Sequence, residues 1–555
     1  MLKNTILFFA FLLPFASISQ DRSLILGRPT DTTMTASVFF NQVQQFYLEY
    51  GTQSGIYPFI TPTLTSIANQ PEEVVMRNLS GNTKYYYRLR YRTGTTGAFA
   101  ATPQYTFYTQ RAPGSTFRFN LEADEHLYDK KGVRNMYKIT LANQAKDSAD
   151  FMMSLGDIFG DDHTPNTTTS QDMNDLHKDY LQYLKEVCHS VPFYVCLGNH
   201  EGENGFYLQQ NNGQNIAVYG TQWRKYYYPN PYPNGFYTGN TTNEPYGIGQ
   251  PENYFAWTWG DALFVVLDVY RDCSINAKPL NWDWTLGFTQ YTWLKNTLQN
   301  SNAKFKFVFA HHTRGQGRGA KITAKGAEWG GYSGNAATNY QFDTYRPGWG
   351  LPIHQLMVAN DVNIFFQGHD HLYAKESLDS LVYQEVPMPS DSTYEIGYLA
   401  NADAYTDVTL RGTGHIRVTV TPTCATVDFV RAYLPADTLL PDSNGIIHKN
   451  GEIAYSYTVG PCSTTATTKI TTEKSLVVYP NPATDRLNFR MKRALPKTTD
   501  FELMDTFGRI LRKGSLAPGE TEGSMPLNGL SPGTYALRWP DESDSSVKMK
   551  MVVIR

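Results

Sequence analysis

The chain is short of cysteine, of net charge and of long apolar runs, and each shortage removes a class of protein. Five cysteines in 555 residues (Cys188, Cys196, Cys273, Cys424 and Cys462) are too few for a disulfide scaffold. Lys and Arg number 48 against 51 Asp and Glu, a formal charge of −3. That balance leaves no global basic face for a nucleic acid or an acidic membrane surface. Past the N-terminal segment no run could span a bilayer, and a mean hydropathy of −0.42 excludes a polytopic membrane protein. Disorder is excluded as well, because 41% apolar and 18% charged residues is an ordinary foldable mixture. At roughly 100–200 residues per domain, the length allows about three to five domains.

Aromatics are plentiful at 14%, with 38 Tyr and 43 Gly, a bias toward strand and loop over helical bundle. Lys3, the apolar stretch Ile6 to Phe15 and the small residues Ser17 and Ser19 read as a signal peptide over residues 1–19, cleaved before Gln20. An exported chain can form disulfides. Cys424 and Cys462, both in strand-like sequence late in the large domain, are the candidate pair. Cys196, inside the apolar run Val191–Leu197, reads as a buried small hydrophobe.

Residues 20–112 read as an all-β sandwich of short alternating runs separated by Gly, Pro, Asn and Thr turns. Residues 113–460 alternate short apolar runs with helical segments such as Met173–Val187 and Thr289–Leu298, the pattern of a layered α/β sheet. The Thr/Ser-rich stretch 461–474 reads as a linker, and 475–555 as a second compact all-β unit.

Five times in the central domain an apolar strand runs out into side chains able to hold a metal. Phe117–Ala123 runs into Asp124-Glu-His126, Phe151–Leu155 into Gly156-Asp157, and Phe193–Leu197 into Gly198-Asn199-His200-Glu201. Phe305–Ala310 runs into His311-His312, and Val362–Phe366 leads through Gln367 into Gly368-His369-Asp370-His371. Ligand sites of α/β sheets gather at the carboxyl ends of strands. A set of imidazole, carboxylate and one amide oxygen, with no thiolate, suits Zn, Mn or Fe.

In this order the motifs resemble the calcineurin-like metallophosphoesterase superfamily, and the β unit ahead of them resembles the arrangement of purple acid phosphatases. The stretch Leu79-Ser-Gly-Asn-Thr-Lys-Tyr-Tyr-Tyr resembles the tyrosine corner of a fibronectin type III sandwich. The resemblance implies a four-layer α/β sandwich holding two divalent or trivalent transition-metal ions. One ion would be held by Asp124, His126, Asp157 and His371, the other by Asp157, Asn199, His311 and His369, with Asp157 bridging. His200 would be the catalytic proton donor facing the leaving oxygen. His311 is the ligand implied in its motif, with His312 beside it as a substrate contact.

Two departures from the family stand out. Position 160 is Gly where purple enzymes carry the tyrosine that colours their iron, so no tyrosinate band is expected. The family's proline two residues after the fourth-motif histidine is here Thr313. Asp161, Asp162 and His163 read as a solvated turn, and Asp370 as a side chain turned away from the metals. Two long insertions, Gly202–Asn253 with Trp223 and Tyr226 to Tyr228, and Thr313–Trp349 with Arg314, Arg318, Trp329 and Arg346, are candidate pocket walls. Arg314 leads as a phosphate contact, since guanidinium binds phosphate oxygens in pairs.

The stretches Val477-Val-Tyr-Pro-Asn-Pro, Leu503-Met-Asp-Thr-Phe-Gly and Leu527-Asn-Gly-Leu-Ser-Pro-Gly-Thr-Tyr resemble a type IX secretion sorting domain. That resemblance implies handling by the type IX machinery, removal of the tail, and a secreted or surface-attached product. The expected activity is a secreted binuclear phosphatase acting on phosphomonoesters, small or polymeric, by metal-bridged hydroxide attack. A phosphodiesterase or nucleotide pyrophosphatase would use the same site, and a non-catalytic surface binding protein is the rival outside enzymes.

Overall fold

The structure, a computed structural model, describes residues 22–128, 132–159, 164–274, 280–313, 317–334, 336–396, 402–439, 441, 446–462, 476–491, 497–505, 509–540 and 547–555. The expected signal peptide, Gly160 to His163, Arg314 and most of the expected linker lie outside them. The chain divides into two compact units, one ending at Cys462 and one beginning at Ser463.

Two sheets build the central part of the first unit. One has the order Phe193–Val195, Phe151–Ser154, Phe117–Glu122, Thr413–Val420, Ala425–Ala432, Ile453–Val459, with the first three strands parallel. The other, eight-stranded, carries the parallel run Ala262–Val266, Phe305–Phe309, Ile364–Gln367, Leu381–Glu385. Their facing sides share one aromatic core. Phe119 stacks on Phe151 at 5.4 Å, Phe309 on Phe366 at 5.2 Å, and Phe119 meets Phe264 edge-on at 5.2 Å. Each such buried ring contributes about 1.5–3 kcal/mol through area removed from water. The rings therefore hold the two sheets in a fixed register, and with them the strand ends that carry the ligand motifs.

Helices cover the outer faces. Gly287–Gln299 and Ile353–Ala359 pack on the eight-stranded sheet; Arg134–Lys146 and Ser170–Leu184 pack on the other. Ser170–Leu184 begins three residues before the expected Met173 because Thr169 and Asp172 form a reciprocal capping box. The insertion Gly202–Asn253 differs from the expected pocket wall. It contains the helix Ile216–Tyr227, and Tyr227 and Tyr228 are buried against Ser170–Leu184 while the Trp223 indole donates to Ser170 Oγ. In the second insertion Trp329 is core, and Arg346 is bound to Glu328 Oε2 at 2.5 Å.

Ahead of these sheets, strands Arg22–Gly27, Met34–Phe40 and Gln70–Met76 face a second sheet built on Gln44–Gly51 and Lys84–Thr93, with Leu26, Val38, Leu48, Tyr87 and Leu89 between them. The Tyr85 hydroxyl accepts from the Ser80 N–H at 2.8 Å, tying strand to loop. This β unit is docked on the central sheets through Leu26 N to Cys188 O at 2.8 Å and Tyr237 Oη to Pro29 O at 2.5 Å.

Cys424 and Cys462 form a disulfide, and Cys188, Cys196 and Cys273 are buried thiols. The second unit is two antiparallel sheets around Leu487, Phe489, Phe501, Leu537 and Trp539. No helix among the described residues is long and apolar enough to cross a membrane.

Candidate metal centre

All five motifs emerge at one rim, where the carboxyl ends of the parallel strands of both sheets meet. The turns that leave those strands are sharp. Asp124, His126, Asp157, His369 and His371 all have left-handed backbone, with φ of 63°, 44°, 60°, 77° and 59°. Non-glycine residues rarely adopt this region, and such strain persists where surrounding bonds over-determine it. Here Asp124 N donates to Gly156 O at 2.9 Å, His126 N to Asp157 O at 3.1 Å, and Gly368 N to His311 O at 2.8 Å. His369 N donates to Asp124 Oδ2 at 2.8 Å. Each turn is thus fixed by its neighbour.

The glycines of the motifs make room for this crowding. A Cβ on Gly198 would lie 2.3 Å from Asp157 Oδ1, and one on Gly368 would lie 2.6 Å from Ala123 Cβ. Glu201, the last residue of its motif, binds two turns together. Its carboxylate accepts from Asp157 N at 3.0 Å, Ile158 N at 2.8 Å and Gly198 N at 2.6 Å. The sequence displays Glu201 next to His200 but gives no sign of this task.

The side chains converge in overlapping groups whose nitrogen and oxygen atoms lie within 4.8 Å of one another: Asp124, His126 and His371; His126, Asp157 and His200; Asp124, Asp157 and His311; and His311, His312 and His369. His126 and His371 bring their Nε2 atoms to 3.0 Å, and His311 Nε2 lies 3.1 Å from Asp157 Oδ2. The other nitrogen of His311 sits 2.9 Å from Leu155 O, so Nδ1–H donates outward and Nε2 faces the carboxylates. His200 is held through its backbone, whose N–H donates to Asp157 Oδ1 at 2.8 Å, with Nε2 3.8 Å from Asp157 Oδ2. Asn199 precedes it in the same turn, and its buried Oδ1 has no hydrogen-bond partner among the described residues.

Charge at the centre is unbalanced. Burial, reinforced by the charge of Asp157, pushes the Asp124 carboxyl up to about 7. Burial alone would push His311 down, but Asp157 and Asp124 outweigh it and lift His311 to about 9. Burial also acts against ionised Asp157, yet His311, His200 and His126 together hold its carboxyl well below the ordinary range. The protein part alone therefore sets the charge of Asp157 against a protonated His311. A pair of cations would balance that charge instead and leave the imidazoles as ligands. The orphaned Asn199 oxygen, the facing His126 and His371 nitrogens and the thiolate-free donor set all fit such ions.

The neighbouring positions divide clearly. Asp370 points away, accepting from Arg318 at 2.9 Å, Gly319 N at 2.8 Å and the Tyr405 hydroxyl at 2.6 Å. Arg318 also donates to His369 O at 2.5 Å, so it braces the peptide of a candidate ligand residue. His312 stacks on His369, ring centroids 3.9 Å apart, and its Nδ1 lies 3.1 Å from the Tyr270 hydroxyl. Tyr270 carries no motif in the sequence.

Residues 123–373 match the calcineurin-like phosphoesterase family, and residues 477–555 match the secretion system C-terminal sorting domain. No curated protein sequence matches the chain. Among solved structures, PhoD aligns with a TM-score of 0.54 at 17% identity, over 79% of this chain and 90% of its own. The purple acid phosphatase PPD1 from yellow lupin (Lupinus luteus) seeds aligns with a TM-score of 0.51 at 14% identity, over 80% of this chain and 77% of its own. Likeness at that identity is likeness of fold. The tail supports export to the cell surface or the medium. The chain carries a calcineurin-like phosphoesterase domain, on a fold shared with PhoD and a purple acid phosphatase, and ends in a type IX secretion sorting domain.

Proposed function

We propose that the protein is an exported binuclear metal phosphatase hydrolysing phosphomonoesters. The observation that carries this reading is the convergence of Asp124, His126, Asp157, His311, His369 and His371 at one rim, beside the turn that holds Asn199 and His200. Asp124, His126, Asp157 and His371 would hold one ion; Asp157, Asn199, His311 and His369 would hold the other. When bound, such ions supply Lewis acidity toward phosphoryl oxygens and an ionised water as nucleophile. The residues of the chain do the rest. Asp157 is held ionised and would be a ligand to both ions. His200, fixed by its own backbone N–H on Asp157 and turned edge-on to His126 at 4.8 Å, donates a proton to the leaving oxygen. His312 contacts the phosphoryl group. The ions are Fe, Zn or Mn, by the nitrogen and oxygen donor set.

Release of nitrophenol from an aryl monophosphate and from a bis-aryl phosphate tests the reading. Faster release from the monoester, lost on chelation, is expected. Preference for the diester would favour a phosphodiesterase, and no turnover of either ester by metal-loaded protein would favour a binding protein. The enclosed position of His200, only 7% exposed beside two metal-ligand candidates, supports catalysis over binding.

A further inference from the structure

Tyr270 follows the strand Ala262–Val266, whose carboxyl end reaches the metal rim although none of the five motifs lies on it. Its hydroxyl meets His312 Nδ1 at 3.1 Å. The His312 ring lies at 11° to the ring of His369, and His312, His311 and His369 present nitrogens within 4.8 Å of one another. Stacking fixes the plane of His312 but not which nitrogen carries its proton. The partner at Nδ1 decides that.

Tyr270 is held as a fixed reference point. Asp268 Oδ1 accepts its backbone N–H at 2.8 Å, and Asp268 Oδ2 is itself held by Asn253 Nδ2 at 2.7 Å. The Asp268 N–H donates to Gln290 Oε1 at 2.9 Å, and Gly205 N donates to Tyr270 O at 3.2 Å. A Cβ on Gly205 would lie 1.9 Å from Arg271 O, so the segment that begins there is pressed onto the Tyr270 turn. Trp284 closes the ring from the side, edge-on at 6.2 Å.

We propose that Tyr270 is a positioning residue whose hydroxyl donates to His312 Nδ1, so that His312 offers its Nε2–H to a phosphoryl oxygen of a phosphomonoester dianion. A neutral imidazole has one N–H, and a phenol donating at Nδ1 puts that N–H at Nε2. A dianion beside two cations gains from a directed donor, whereas another lone pair would oppose it. The opposite direction, Nδ1–H to the phenol oxygen, would make His312 a metal ligand. This inference rests on the phosphatase reading above.

The test is calorimetric binding of inorganic phosphate to the metal-loaded full chain, with metal content and steady-state kinetics measured alongside. Tyr270→Phe removes only the hydroxyl and keeps the packed ring. It should weaken phosphate binding about tenfold, the usual worth of a hydrogen bond to a charged group. KM should rise more than kcat falls, at unchanged metal content. His312→Ala should cost as much, and the double variant no more than His312→Ala alone, since coupled residues are not additive. His312→Gln, which keeps a side-chain N–H, should recover most of the affinity. Full phosphate affinity in Tyr270→Phe, additive losses, or metal lost from either variant would overturn the inference while leaving the phosphatase reading standing. Wild-type protein that is fully metal-loaded yet neither binds phosphate nor hydrolyses a monoester would overturn both.

Discussion

His126 and His371 face each other with Nε2 atoms 3.0 Å apart, although 245 residues separate them along the chain. At that distance two imidazoles are stable only with a proton or a cation between or beside them, and Asp124 Oδ1 lies 3.6 Å from the same His371 nitrogen. Metal occupancy and folding should therefore be coupled. The protein should carry close to two transition-metal ions, and chelation should lower its thermal midpoint as well as abolish hydrolysis. A ligand at a hundred times its dissociation constant stabilises by about 2.7 kcal/mol. Asp157→Asn should reduce both occupancy and midpoint. A chelated protein that melts like the loaded one would refute the coupling.

His200 should separate proton donation from metal binding. General-acid help is worth roughly 10²–10⁴-fold when the leaving alkoxide is basic. His200→Ala should lose about that factor on alkyl phosphates, clearly less on nitrophenyl phosphate, and no metal. An equal loss on both substrates would make His200 a binding residue instead.

His177 should shape the acid limb of stability. Burial, aided by the Arg224 charge, pushes it from 6.5 down to about 3 in the fold. Below pH 6.5 the unfolded chain takes up a proton that the folded chain refuses. Stability from this group is full above 6.5 and falls as pH drops toward about 3, by about 1.4 kcal/mol per pH unit inside that window. His177→Gln, which can still pair with the Tyr228 hydroxyl, should flatten the slope of urea-unfolding free energy between pH 6 and about 4. An unaltered slope would show that His177 is protonated in the fold.

Export should leave a shorter chain. The intact mass of protein recovered from medium or cell surface should place the new C-terminus between the linker that begins at 461 and the sorting-domain match that begins at 477. A mass that still includes Arg555 would argue against removal of the tail.

The centre is legible in the sequence because its chemistry needs rare residue types at strand exits. Apolar runs such as Phe305–Phe309 announce the strands, and Asp157 or His369 directly after them announce the rim. What supports the centre is less visible. Glu201 and Asp268 are ordinary acids until the fold turns backbone N–H groups toward them, and Leu267-Asp-Val-Tyr270 reads as a plain strand exit. Tyr227 and Tyr228 mislead in the other direction. Aromatics in a long insertion suggest a pocket wall, but a helix unseen in that Gly- and Tyr-rich stretch turns them inward as packing. Local pattern reveals which strands deliver ligands; burial of polar partners depends on contacts distant in sequence.

The disulfide gives the first unit a clasp. It joins Cys424, just ahead of the strand Ala425–Ala432, to Cys462, just after the edge strand Ile453–Val459, across a separation of 38 residues. Closing a loop of that size removes roughly 4 kcal/mol of unfolded-chain entropy on the polymer account. The bond forms only in an oxidising compartment. The last strand is therefore free to unzip while the thiols are reduced and is sealed once they are oxidised. Were the tail cut off beyond Cys462, the cut would fall on a hem already stitched, and the edge of the sheet would not unravel.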